Sequence, residues 1–249
     1  MELSQKPMLS MKTWHISFWS SLIILFLIII LESYTNLDIE IQNIWYYPET
    51  KKWWLTAEEF MQTRWLWYGG AKKAISIFAG ICVAIFIASF FLKSFRIWRK
   101  SMILICLSLL FVPLAVGAGK KMTDIYCPRE VSIYGGPYEY QRILEPQHPL
   151  NKDNPVPGLC YPAGHASGGF ALMMLFFAVP YPCLRKWGLL IGLTVGWLMG
   201  GYQMVRGEHF LSHTLSTMCL AWAINLLIIL CIEKIEHFFK LKNEYPKLL

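Results

Sequence analysis

The sequence predicts an all-α fold: a polytopic membrane helix bundle with six transmembrane helices and short interfacial helices. Three observations predict it. The chain is 55% hydrophobic and 16% charged over 249 residues, less charge than a water-soluble domain of that length carries. Its apolar residues fall in runs close to the ~20 residues that cross a bilayer as a helix. Its Lys and Arg flank those runs, so the formal net charge of +7 is better explained by topology than by nucleic-acid binding, which needs a basic soluble face.

Taken in order, the first span runs from about His15 to Leu31, with Leu22 to Leu31 as its purest part. No small-residue cleavage site follows it, so it reads as a permanent span, not a secretory signal. Residues 32–73 mix Trp45, Tyr46, Tyr47, Trp53, Trp54, Trp65, Trp67 and Tyr68 with Glu and Lys. Trp and Tyr favour the headgroup region, so one or two short interfacial helices are expected here; an ordinary extramembrane loop is the alternative. The second span covers about Ala74 to Leu92, and Lys93, Arg96, Arg99 and Lys100 follow it. The third covers Met102 to Ala118, and a polar loop rich in Pro and Gly runs from Gly119 to Tyr161. The fourth span extends from Pro162 to about Cys183, the fifth from Trp187 to Val205 and the sixth from His213 to Ile232. The whole chain, residues 1–249, reads as a single domain without internal repeats.

The basic residues orient the bundle. The N-terminal segment, the loops after spans two and four, and the C-terminal tail carry Lys or Arg with few acids, which marks the cytoplasmic side. The long loop and the 206–212 connection then face outward. In a bacterium this is the inner (cytoplasmic) membrane with the outer side in the periplasm. Lys51, Lys52, Arg64, Lys72 and Lys73 fall on that outer side, against the bias.

Residues that carry chemistry lie within 119–213. Gln203, Arg206, His209 and His213 have spacings of three and four, which group them on one helical face unless Gly207 breaks the helix. Polar groups at a span's end point to a site or to snorkelling at the headgroups. Pro162-Ala163-Gly164-His165 opens the fourth span. Proline starts helices, and a helix N-terminus offers backbone N–H groups to an anion. The small residues there also suit close helix packing. Lys120 and Arg129 add positive charge on the same side. The seven cysteines show no metal-ligand spacing.

In this order, the three pieces resemble the motifs of the type-2 phosphatidic acid phosphatase superfamily. Lys120 and Pro128 match the first motif. Pro162, Gly164 and His165 match the second, with Ala163 in place of serine. His209 matches the final histidine of the third. The chain departs from the pattern at Cys127 and Gln203, which hold the places of two arginines, and at His213, which holds the place of an aspartate. Arg129 and Arg206 stand nearby in sequence. The resemblance implies a reaction without metal or other cofactor. His209 attacks phosphorus, His165 protonates the leaving group, and Lys120, Arg129, Gly164, Gln203 and Arg206 hold the phosphoryl oxygens. His213, or else Glu208, would orient His209. The implied substrate is a membrane lipid phosphate or diphosphate, such as lipid A, undecaprenyl diphosphate, phosphatidylglycerophosphate or phosphatidic acid, with no obligatory protein partner. A lipid phosphotransferase and a non-enzymatic lipid transporter are the alternatives.

Cys127 and Cys160 are the two cysteines of the outer loop. In an oxidising compartment they are expected to pair and clamp the lysine segment to the Pro-Ala-Gly-His turn; two packed thiols are the alternative.

Overall fold

A computed structural model of the chain describes residues 9–146 and 157–244. The long helices are α1 (Met11–Tyr34), α4 (Ala71–Phe91), α5 (Arg99–Thr123), α8 (Pro182–Met204) and α9 (Leu211–Glu244). Among the described residues, four stretches are long and apolar enough to cross a membrane: Met11–Tyr34, Ala71–Phe91, Leu211–Phe239 and a run beginning at Lys93. Each coincides with one of the expected spans. The outward faces of α1 and α4 leave Ile16, Ile23, Phe26, Leu27, Ile77, Ile81 and Phe90 about half exposed or more. A continuous apolar surface of that kind belongs in lipid.

Expected spans four and five take a different form. The fourth is shorter, Gly164–Ala178. It is assembled from α6 (Gly164–Ala171), a 3₁₀ turn and α7 (Leu175–Ala178). The fifth is α8, 23 residues long, but it contains Arg185 and Lys186 and is diluted by glycine.

Those glycines serve packing. Gly188, Gly192, Gly196 and Gly200 recur every four residues, on one face of α8. Without side chains they let the backbones of α6 and α8 approach closely. A Cβ at Gly192 would sit 2.3 Å from the Met173 backbone nitrogen, and one at Gly196 would sit 2.2 Å from the Phe170 ring. Polar side chains tie the other helices together. Ser108 Oγ on α5 lies 2.8 Å from the Ala171 carbonyl and 2.6 Å from Asn225 Oδ1 on α9, its one hydroxyl hydrogen shared between the two acceptors. Trp14 Nε1 on α1 donates to the Leu226 carbonyl at 2.8 Å. Such bonds hold where no water competes.

The aromatic stretch 32–73 contains two short helices, α2 (Leu37–Asn43) and α3 (Ala57–Arg64). It also contains an element the all-α expectation lacked. Strands β1 (Tyr46–Tyr47) and β2 (Lys52–Trp53) pair antiparallel, Tyr46 opposite Trp53. The cause is aromatic packing: Tyr46, Trp53 and Tyr134 form a triangle with ring centroids 4.9 to 5.0 Å apart. The hairpin is thereby held against the loop that follows α5. It lies over one end of the bundle, the end where the motif residues gather.

The glycine stripe gives a direct test. Gly192→Ala forces α8 away from the 3₁₀ turn at Leu172–Met174 and is expected to destabilise by about 1–3 kcal/mol. Gly80→Ala on α4, where a Cβ meets nothing within 4 Å, should leave the melting temperature unchanged or slightly raised. Thermal unfolding of both variants in detergent checks the difference.

Candidate active site

The site is built around one turn docked on one helix. Pro162 and Ala163 lead into α6, and the Ala163 N–H donates to the His213 carbonyl at 3.1 Å. Thr217 Oγ1, one helical turn along α9, donates to the Ala163 carbonyl at 3.1 Å. These bonds fix the start of α6 against the first turn of α9. The His165 ring then faces His209, with ring centroids 6.0 Å apart. The bare Cα of Gly164 admits Lys120: a Cβ there would lie 2.9 Å from Lys120 Cε. The Lys120 ammonium donates to the Leu159 carbonyl at 2.7 Å, so the first and second motifs touch.

The grouping of Gln203, Arg206, His209 and His213 on one helix face needs correcting. Helix α8 ends at Met204 and α9 begins at Leu211. Between them Gly207 has φ +71°, a left-handed conformation that suits glycine. The turn, not a helical face, brings the four residues together. It is anchored from three sides. The Arg129 N–H donates to the Gly207 carbonyl at 2.8 Å and the Leu55 N–H to the Val205 carbonyl at 3.2 Å. Gln42 Nε2 donates to the Met204 carbonyl at 2.8 Å.

The displaced arginines converge. Glu208 Oε1 lies 2.8 Å from Arg129 Nη1 and 2.9 Å from Arg206 Nη2. Arg206 Nη1 also donates to Gln203 Oε1 at 3.1 Å, and its guanidinium stacks 3.5 Å over the Phe60 ring. Gln203 is buried and orients Arg206. Glu208, considered as a partner for His209, instead bridges the two arginines. Arg206, Lys120 and Lys72 supply positive charge around His165. Sequence reasoning missed Lys72; its place among the outer-side basic residues that ran against the topology bias was the available signal.

His209 and His213 are both almost fully buried. Their rings stand 5.8 Å apart at 59°. Among the described residues, His209 Nε2 and His213 Nδ1 have no hydrogen-bond partner. His209 Nδ1 lies 3.3 Å from the Cys160 sulfur, and the Cys160 carbonyl is within reach of both rings. The group expected to orient His209 was His213; the structure puts Cys160 against Nδ1. Burial holds the His209 pKa well below the ordinary histidine value, and the positive groups around it push the same way. The ring is therefore neutral, with a lone pair for attack on an electrophile.

Cys160 is joined to Cys127 by a disulfide with Cα atoms 5.2 Å apart, spanning 33 residues. The bond ties the loop after α5 to the segment that leads into α6. A residue outside all three motifs braces α9: Asp38 on α2 is buried, and its Oδ1 accepts from the Ser212 N–H at 2.9 Å while Oδ2 accepts from Ser212 Oγ. Burial raises the Asp38 pKa, yet both hydrogen bonds favour its charged form. A carboxylate at that point caps the first turn of α9.

Two buried histidines, a helix N-terminus and a ring of cations can bind an oxyanion and attack it. Among known families, the model of the PAP2 superfamily matches residues 101–236, more than half of the chain. Comparisons with curated proteins and with solved structures give no match.

Gly207 tests the turn. A Cβ there would lie 2.4 Å from the Trp53 ring on a backbone that L-residues disfavour. Gly207→Ala is expected to cost about 1–2 kcal/mol or more, read as a lower melting temperature. Gly201→Ala, where a Cβ meets nothing within 4 Å, should have no such effect.

Proposed function

The chain belongs to the PAP2 superfamily, and from that premise we propose that it is an integral membrane phosphatase. It hydrolyses a lipid phosphate or diphosphate through a phosphohistidine. The observation that carries this reading is the pairing of His165, partly buried, with the buried His209, their ring centroids 6.0 Å apart at one end of an apolar bundle.

In the proposed mechanism the substrate phosphate sits between the two rings. Lys72, Lys120 and Arg206 neutralise its oxygens, joined by Arg129 and the backbone N–H groups at the start of α6. His209 Nε2 attacks phosphorus. His165 donates a proton to the departing oxygen, and later helps water cleave the phosphorus–nitrogen bond. Two easier displacements replace one hard one. In this reading α6–α7 and α8 complete a set of six spans in one domain, with both termini cytoplasmic and the site facing the periplasm. The exposed apolar helix faces support a headgroup-level site beside the lipid that would supply its substrate. A transporter is the weaker reading, because substrate sites in transporters lie near the bilayer midplane and these charges gather at one end.

His209→Ala and His165→Ala are each expected to lower phosphate release from detergent-dispersed phosphatidic acid by at least about a thousandfold. The purified proteins should remain folded by circular dichroism. Undiminished release by His209→Ala would remove the nucleophile assignment. Radiolabelled phosphoryl transfer to an added lipid acceptor, instead of water, would show a phosphotransferase.

The pH profile follows from the lowered His209 pKa. A protonated ring has no lone pair at Nε2, so activity is lost as pH falls through that pKa. Because burial depresses it, the acid limb of kcat/KM assigned to His209 should lie below the ordinary histidine value of about 6.5. A limb at that ordinary value, abolished with the residue, would contradict a dry nucleophile.

A further inference from the structure

The disulfide ends on the nucleophile, and this gives Cys160 a second possible state. Its sulfur is buried and lies 3.3 Å from His209 Nδ1. One ligand atom each from Cys160, His209 and His213 can be chosen so that all lie within 4.8 Å of one another. Both imidazoles are at least nine-tenths buried; His213 Nδ1 has no hydrogen-bond partner among the described residues, and His209 presents Nδ1 to the sulfur. Two imidazoles and a thiolate form a zinc ligand set. Around a tetrahedral ion with metal–nitrogen bonds of ~2.1 Å and a metal–sulfur bond of ~2.3 Å, ligand atoms stand roughly 3.5 Å apart. The existing sulfur–nitrogen contact already meets that spacing. The disulfide withholds only the third ligand, since a bonded sulfur is not a thiolate.

We propose that reduction of the Cys127–Cys160 disulfide turns this corner of the site into an inhibitory zinc site formed by Cys160 Sγ, His209 and His213. The chemistry balances. Two molecules of a thiol reductant are oxidised to one disulfide, and Cys127 and Cys160 are released as thiols. Zinc then displaces the Cys160 thiol proton to solvent. Ligation through His209 Nδ1 puts the one proton of the neutral ring on Nε2. The atom that attacks phosphorus thereby loses its lone pair. Zinc binding needs no assumption about the reaction; the inhibitory half rests on the proposed phosphatase reading.

Cys127→Ser leaves Cys160 as a thiol without added reductant, and cobalt(II) reports thiolate ligation by a sulfur-to-metal absorption band. In full-length purified protein, Cys127→Ser is expected to bind one cobalt with that band, and zinc should displace it. Wild-type protein should show the band only after reduction by a monothiol that is then removed, an arm that also covers any folding defect in the variant. Cys127→Ser/Cys160→Ser and Cys127→Ser/His213→Ala should lose the band. Zinc should lower phosphate release by Cys127→Ser at least about tenfold, reversibly by chelator, and leave oxidised wild type unaffected. Absence of the band in both Cys127→Ser and reduced wild type overturns the site. Its survival in Cys127→Ser/His213→Ala overturns the ligand set. Metal binding without loss of activity overturns the inhibition. If no form releases phosphate, the phosphatase reading fails, while the cobalt spectrum still judges the site.

Discussion

The site depends on the docking of a short turn onto the start of a helix. The Ala163 N–H meets the His213 carbonyl, and Thr217 meets the Ala163 carbonyl. Each bond is worth about 1 kcal/mol net, more in a setting where water does not compete. Their importance is positional. His165 follows Ala163 by two residues on α6, and His209 precedes His213 by four at the approach to α9. Fixing one backbone pair therefore fixes two imidazoles from distant parts of the chain. The bonds come from main chain and from Thr217, so an alanine at position 163 preserves them without a hydroxyl of its own.

Other features bring the remaining groups to that junction. The glycine stripe of α8 seats it close to α6, so the end of α8 arrives beside His165 with Arg206 attached. Gly207 then reverses the chain into α9 within a few residues. The two arginines displaced from the superfamily's positions meet on Glu208. One carboxylate between two guanidiniums offsets their repulsion and sets their directions. Convergence in space substitutes here for position in sequence. The outer cap of α2, the hairpin and the loop after α5 holds this arrangement from above through Gln42, Leu55 and Arg129.

The apolar runs, the short helices of the aromatic stretch and the approach of the histidines at 165 and 209 were legible in the sequence. Each is a local pattern: a run of residues, a composition, or a motif at fixed spacing. The parts that were not legible are those fixed by distant contacts. The hairpin at 46–53 exists because Tyr46 and Trp53 find Tyr134. Lys72 looked like a stray charge until α4 was packed beside α6. Asp38 gave no signal, since its partner lies 174 residues away. Gln203 and Arg206 read as neighbours on a helix because the left-handed turn at Gly207 depends on its contacts with Trp53 and Arg129. Spans four and five followed hydropathy less simply, because a helix that packs by glycine gives up apolar side chains.

The uncharged sulfur against Nδ1 of His209 bears on how the ring's charge is managed. A carboxylate next to an attacking histidine fixes the tautomer and stabilises the cation formed on attack. Here Nδ1 lies 3.3 Å from the uncharged sulfur of Cys160, and the Cys160 backbone stands within reach of the ring. In the proposed mechanism the missing negative charge would matter later, when phosphorylation at Nε2 would leave the ring protonated at Nδ1. The transferred phosphoryl group would itself bring negative charge against the ring. The cations that oppose an imidazolium would then be engaged by phosphoryl oxygens. On that proposal the charge that a carboxylate would supply permanently is delivered by the substrate, at the stage where it is needed.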